Sequence, residues 1–207
     1  GILMVRQREI VSCNRRFAAI FGYPSAKLIG QSTRILFETD DAFAAFGEEA
    51  YRSLSSGESF TATLIMAHAD GSSFWCELTG SAVDPRYPRE SSIWIFTDVT
   101  ERRLAEERAK FLSYHDALTG LPNQLLLQDR LQQAIAFSNR MGTKVALMVL
   151  DIDRFKAIND FLGHDAGNRM LVAVAERLTR PFRGTDTVCR QGGDEYLLLL
   201  TNPAEPD

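Results

Sequence analysis

The sequence predicts an α+β chain in two globular parts: an antiparallel sheet with flanking helices first, a connecting helix, and then a smaller part in which helices and strands alternate. Three observations predict it. Residues 1–98 carry short strand-like runs separated by Gly and Asp turns, the pattern of an antiparallel sheet. Residues 99–114 are dense in Glu, Arg and Lys, which suits a solvated helix. From residue 115 onward, helical and strand patterns succeed one another, as in an α/β layer. The expected divisions are therefore 1–98, 99–114 and 115–207.

The elements follow in order. Ile2 to Val5 and Ile10 to Cys13 flank a polar Arg-Gln-Arg-Glu segment and predict a hairpin. Asn14 stands as N-cap of a helix over Arg15 to Phe21, which Gly22 ends. Ser25 to Ile29 reads as a helical turn closed by Gly30, and Asp40 to Leu54 as an amphipathic helix ending before Ser55-Ser56-Gly57. Phe60 to Ala67, Ser73 to Val83 and Ser91 to Thr97 read as strands. Asp70-Gly71 is the turn between the first two, and Pro85 and Pro88 mark a longer loop before the third. In the charged stretch Leu104 and Phe111 stand seven apart, a thin apolar seam that suits a helix pairing with a copy of itself or one face resting on a domain, the first being the expectation. Beyond it, Asn123 to Ser138 is helical, and Lys144 to Ile152 is a nearly continuous apolar run, as a buried strand should be. Asp165 to Leu178 is helical. Thr187 to Arg190 and Tyr196 to Leu200 flank a Gly-Gly hairpin turn.

Composition bounds the function. A chain of 207 residues fits one large domain or two small ones. A net charge of -4 offers no footing for a nucleic acid or a membrane surface, so no nucleic-acid partner is expected. Cys13, Cys76 and Cys189 are widely spaced, which argues against a zinc or disulfide framework and suits a reducing cytoplasm. The longest apolar runs, Val145 to Leu150 and Tyr196 to Leu200, are too short to span a bilayer, and no signal peptide is visible. A cytoplasmic location follows as the expectation, with any membrane anchor lying outside this stretch.

The chemistry concentrates in carboxylates. Asp151 and Asp153 end an apolar strand, and Asp194 and Glu195 follow Gly192 and Gly193 in a turn between two others. Loops at strand ends are where such sheets place ligands. Hard cations are bound by carboxylates and backbone carbonyls, and glycines let a phosphate or a base approach the backbone. Lys156, close in sequence, can neutralise phosphate charge. Together they suggest a magnesium-nucleotide site, although a Gly-Gly-Asp-Glu turn alone is equally a solvated hairpin.

Four segments add a resemblance. Gly192-Gly193-Asp194-Glu195-Tyr196 resembles the GGDEF signature of diguanylate cyclases, with Tyr for the usual Phe. His115-Asp116-Ala117-Leu118-Thr119-Gly120-Leu121-Pro122-Asn123 resembles the opening motif of that family. Asp151-Ile152-Asp153-Arg154-Phe155-Lys156 with Asn159-Asp160, and Gly163-His164-Asp165-Ala166-Gly167, resemble the next two. The resemblance implies a fold related to nucleotidyl cyclases and polymerase palms. It implies condensation of two GTP molecules into cyclic di-GMP with release of pyrophosphate, each 3'-hydroxyl attacking the α-phosphorus of the other GTP across two domains. It further implies that Asp151, Asp194 and the Ile152 carbonyl hold magnesium or manganese. Asp194 or Glu195, between which the sequence does not choose, would help activate the hydroxyl. The Phe155 backbone and Lys156 would contact phosphates, Gly192 and Gly193 would admit the nucleotide, and Asn159 would read the guanine edge. His164 lies beside that pocket, with loop packing an equally open role.

Departures from the family pattern carry expectations of their own. Asn168 replaces an aspartate that accepts from guanine, so guanine binding should be weakened or altered. Gln124 replaces an arginine, with no clear effect. The chain ends at Asp207, before the later strands and basic phosphate-binding residues of the family, so the resemblance leaves open whether this stretch by itself is catalytically competent. Arg183-Gly184-Thr185-Asp186 matches the RxxD product-inhibition motif, which implies that Arg183 and Asp186 bind cyclic di-GMP.

Residues 1–98 are similar to a PAS sensor domain in element order, with Asp70 to Trp75 and Asp98-Val99-Thr100 matching its strand-turn and exit motifs. Its ligand is unknown. Thr33 stands where flavin photoreceptor members carry a reactive cysteine, and no histidine lies in the helix over 40–54. His68 is read as packing or surface, Trp75 and Trp94 as core, and Cys13 and Cys76 as buried packing residues. The combined expectation is a sensor-regulated diguanylate cyclase that dimerises through the PAS domain and the linker helix. The alternatives are a GTP-binding regulatory module of a dual-domain cyclic di-GMP phosphodiesterase, or a non-catalytic sensing and dimerisation fragment.

Overall fold

The computed structural model describes residues 1–203; positions 204–207 of the expected second domain lie outside the described residues. The chain separates into two compact units between Ala105 and Glu106.

In the first unit, β1 (Ile2–Arg6) and β2 (Glu9–Cys13) form the expected hairpin. Its turn runs through Gln7 and Arg8, both at positive φ (50° and 66°), the left-handed pair that matches strand twist. Asn14 caps α1 (Arg15–Phe21), its side chain accepting from Phe17 N, and Gly22 at φ 74° ends it. α2 (Ser25–Leu28), a 3₁₀ turn at Thr33–Leu36 that periodicity missed, and α3 (Asp40–Ser55, capped by Thr39) follow. β3 (Phe60–Ala67), β4 (Ser73–Ala82) and β5 (Ser92–Asp98) complete an antiparallel sheet of order β2-β1-β5-β4-β3. The core is aromatic: Phe17 packs on Phe21 and edge-on to Phe96, with ring centroids 4.6 and 5.0 Å away. Trp94 joins it by lying flat on Gly80, where any Cβ would strike the indole.

Trp75 departs from expectation. It is half-buried on the other face of the sheet, under the Arg103 guanidinium at 4.0 Å from the ring centroid. Strand alternation places it opposite Phe74 and Cys76, which are buried. Its backbone fastens the start of α4 (Thr100–Tyr114): Trp75 N donates to Thr100 Oγ1 at 3.0 Å, and Thr100 N to Asp98 Oδ1 at 2.9 Å. α4 buries none of its residues, and Leu104 and Phe111 are exposed along it.

In the second unit, Asn123 caps α5 (Gln124–Met141), which Gly142 ends at φ 68°. β6 (Val145–Leu150), α6 (Phe155–Leu162), α7 (His164–Thr179), β7 (Thr187–Gly192) and β8 (Glu195–Thr201) follow. The sheet is antiparallel, in the order β6-β8-β7. β8 is central and buried on both faces, which explains its unbroken apolar run. Tyr196 and Leu198 pack with Leu171 and Ala175 of α7, while Leu197 and Leu199 pack with Leu127 and Ala134 of α5.

One expectation fails here. The run over 144–152 is not a buried strand: β6 is an edge, and Val149 is 64% exposed. Among the described residues only β8 lies beside it, so its apolar run finds no second neighbour. The segment after Arg154 folds as α6, with its apolar residues Phe155, Ile158, Phe161 and Leu162 at helical spacing.

Candidate active site

Strand register assembles one end of the second sheet. β6 pairs with β8 so that Leu150 faces Tyr196, and one further step sets Asp151 opposite Glu195. β7 and β8 join where Gly192 pairs with Glu195, and the turn passes through Gly193 and Asp194. Gly192 and Gly193 take φ values of 144° and 54°, which L side chains adopt only under strain. The end of β6 and the Gly-Gly turn thus share one edge.

Asp151 is exposed and Asp194 and Glu195 are half-buried. None of the three carboxylates has a hydrogen-bond or ion-pair partner among the described residues. Bare carboxylates at a strand end are oxygen donors of the kind hard cations take. The Ile152 carbonyl accepts from Phe155 N at 3.2 Å, which leaves its second lone pair. No group of three or more Asp, Glu, His or Cys side chains gathers at metal distance among the described residues. Two carboxylates and a carbonyl therefore fit a magnesium-like ion whose shell is completed by water and phosphate, and do not form an all-protein cage.

The loop beyond Asp151 turns through Arg154 at φ 57° into α6, with Lys156 exposed in its first turn. Gly163, at φ 83°, ends α6 and starts α7. The two helices close so tightly that a Cβ on Gly167 would overlap Asn159 Oδ1. His164 and Asn168 lie one turn apart on α7 beside this contact. The corner thereby gathers Asn159, His164 and Asn168.

An ion pair without an assigned role in the sequence reading holds the turn. Arg190 is a buried cation on β7. Its Nη1 donates to both Asp116 oxygens, at 2.9 and 3.1 Å, and its Nε and Nη2 donate to the Gly193 carbonyl at 3.1 and 2.6 Å. Asp116 also accepts from Thr119 N and Oγ1 at 2.9 and 2.6 Å. Burial opposes ionisation of Asp116, but the bonds from Thr119 and Arg190 outweigh it and hold the carboxyl below its ordinary pKa. The backbone adds Arg190 N to Pro122 O at 3.1 Å. The opening motif is thus tied to the carbonyl of the turn glycine. A signal was present in the sequence: an arginine that directly follows the apolar Val188-Cys189 pair of a strand needs an acid when buried.

Tyr196 explains its own departure from the signature. It is fully buried, and its hydroxyl donates to the Leu171 carbonyl of α7 at 2.8 Å, so the extra oxygen is not left unsatisfied.

Arg183 and Asp186 are not part of this edge. They precede Thr187, at the opposite end of β7, roughly 20 Å of strand away from the Gly-Gly turn. Asp186 accepts from Arg183 N and Thr201 N, both at 3.1 Å, while the Arg183 side chain is exposed. The buried thiols are poor nucleophiles: burial pushes Cys76 up to about 12 and Cys189 up to about 11.

Comparison with known proteins gives each of the two parts a family likeness. Residues 113–207 match the family model of the diguanylate cyclase GGDEF domain, and residues 1–101 that of the PAS domain. The chain is 48% identical over 89 residues to the bifunctional diguanylate cyclase/cyclic di-GMP phosphodiesterase MucR of Pseudomonas aeruginosa, covering 43% of this chain and 13% of that protein. It is 32% identical over 202 residues to an uncharacterized signaling protein of Caulobacter vibrioides, covering 96% of this chain and 24% of that one. It is 42% identical over 102 residues to the diguanylate cyclase TpbB of Pseudomonas aeruginosa, covering 48% of this chain and 23% of that one. The chain therefore spans about a quarter or less of the length of these relatives.

Proposed function

For a chain that carries a PAS domain at residues 1–101 followed by a GGDEF domain at residues 113–207, we propose a role in cyclic di-GMP signalling as the sensor-linked GTP-binding part of a diguanylate cyclase. The observation that carries this reading is the shared edge of Asp151, Asp194 and Glu195 beneath a glycine turn. Asp151, Asp194 and the Ile152 carbonyl would hold magnesium or manganese, which would supply charge neutralisation for the triphosphate and the attacking oxygen. Lys156 and the Phe155 backbone would bind phosphate oxygens. Asn159 would bond the guanine edge, with His164 beside it, and Asn168 would accept more weakly from guanine than a carboxylate. Glu195 or Asp194 would take the proton of the 3'-hydroxyl. One domain holds one GTP, so two copies would have to face each other, brought together by the PAS domain and α4. Positioning of the two nucleotides is then the main contribution of the protein. Arg183 and Asp186 would bind cyclic di-GMP at the far end of β7.

The test uses the full protein that contains this chain, incubated with GTP and magnesium, with products separated by chromatography. Cyclic di-GMP formation that Asp194→Ala abolishes supports the reading; no product at any protein concentration refutes it.

A second reading has its own support. The 48% identity is to a protein named as both cyclase and phosphodiesterase, so the domain would be a GTP-binding regulator of cyclic di-GMP hydrolysis. GTP binding without synthesis, together with GTP-stimulated hydrolysis, would favour it.

A further inference from the structure

Two arginines of the first unit stand near one another without an acid. Arg8, in the β1–β2 turn, is half-buried. Its Nη2 donates to the Phe43 carbonyl at 2.5 Å, and its guanidinium lies 3.3 Å from the Phe43 ring centroid. Arg89, in the loop between β4 and β5, lies 5.0 Å from the centroid of Tyr51. Burial lowers the pKa of Arg8; Tyr51 acts in the opposite direction, and the charge of Arg89 lowers it further. No carboxylate reaches ion-pair distance of either guanidinium among the described residues. Glu48 and Glu90 line the neighbouring groove without reaching them. Two like charges that sense one another, one of them partly desolvated, repel. An anion between them would remove that repulsion.

The surroundings restrict what the anion is. Tyr51 is a wall common to two spaces. Outside it, a groove of about 580 Å³ opens between α3 and the β4–β5 loop, with Arg89 on its border. Inside it, a cavity of about 20 Å³ is lined by Arg8 and by apolar groups such as Phe37, Phe46 and Trp94. A space of that size takes a methyl group or a ring edge and little more. A guanidinium fork matches a planar carboxylate in two-point contact, and aromatic walls favour a hydrocarbon over a hydrated phosphate.

We infer that the first unit binds a small organic carboxylate, its anionic end between Arg8 and Arg89 beside Tyr51 and its short apolar end toward the inner cavity. The site belongs to the PAS domain and stands independently of the nucleotide reading, since none of its residues lies in the second unit.

The experiment is calorimetric titration of the whole chain with sodium benzoate and sodium butyrate, with benzamide and sodium phosphate as controls. Saturable binding of at least one carboxylate is expected, at least about tenfold tighter than benzamide or phosphate, because a charge-assisted bond is lost in the amide. Arg89→Gln, at an exposed position, should weaken it about tenfold while leaving the melting temperature unchanged, and Arg8→Gln should do so more strongly. Absence of saturable binding by both carboxylates, equal binding of benzamide, preference for phosphate, or unchanged affinity in folded Arg89→Gln would each overturn the inference.

Discussion

Replacing Asp116 by alanine tests the clamp on the glycine turn. The substitution removes two bonds to Arg190 Nη1 and two to Thr119. The side chains of Arg190 and Asp116 are 10% and 20% exposed, so the pair sits near the buried limit. Breaking a buried pair from one side costs about 3–5 kcal/mol, whereas an exposed pair is worth about 0–1 kcal/mol. Arg190 keeps the Gly193 carbonyl at 2.6 and 3.1 Å as an acceptor, which offsets part of the loss. We expect a destabilisation of about 2–3 kcal/mol. In a unit of about 100 residues, each kcal/mol moves the midpoint by about 4–8 °C, so the second unit should melt about 10–20 °C lower. Urea and thermal unfolding followed by circular dichroism measure this, and a double-mutant cycle of Asp116→Ala with Arg190→Met should give a coupling above about 1 kcal/mol. A loss below about 0.5 kcal/mol, the size of an ordinary surface change, or a coupling of zero, would refute the reasoning.

Three further outcomes are expected. Stability from Asp116 is present above the ordinary carboxylate value of 3.8 and is lost as pH falls through its depressed folded value. The urea midpoint of the wild type should therefore drop more steeply below that value than that of Asp116→Asn, and parallel curves would sink the assignment. Gly167→Ala gains about 1 kcal/mol of helix propensity but displaces Asn159 Oδ1; its melting temperature should hold, while GTP affinity measured by titration falls roughly tenfold for a lost hydrogen bond of about 1–1.5 kcal/mol. Asn168→Asp restores a charged acceptor and should tighten GTP binding several-fold, about 1 kcal/mol for the gain in charge assistance, with ATP binding unaffected.

Local chemistry was legible in the linear chain wherever a residue acts on its neighbours. Asn14 and Gly22 bound their helix as expected because a cap needs only the next three or four residues. The Asp70-Gly71 turn and the Gly192-Gly193 turn were readable for the same reason, since positive φ singles out glycine. The candidate site could be proposed as a set of residues because Asp151, Lys156, Asp194 and Glu195 fall in short motifs.

Tertiary structure alone decided matters that depend on contacts between distant segments. It made β8 central and β6 an edge, although both are apolar runs, because burial depends on how many strands and helices lie alongside. It sent Trp75 to the outer face and Trp94 to the core, because only Trp94 meets a glycine, Gly80, that lets the indole lie flat. It closed α6 on α7 through Gly167, and it placed Arg183 and Asp186 at the far end of the strand that ends in the glycine turn. Most of all, it joined Asp116 to Arg190 across 74 positions. The sequence by itself determined which groups could carry charge and where the chain turns. Which charges meet was decided by packing, since a buried guanidinium is stable only where the fold delivers an acid to it.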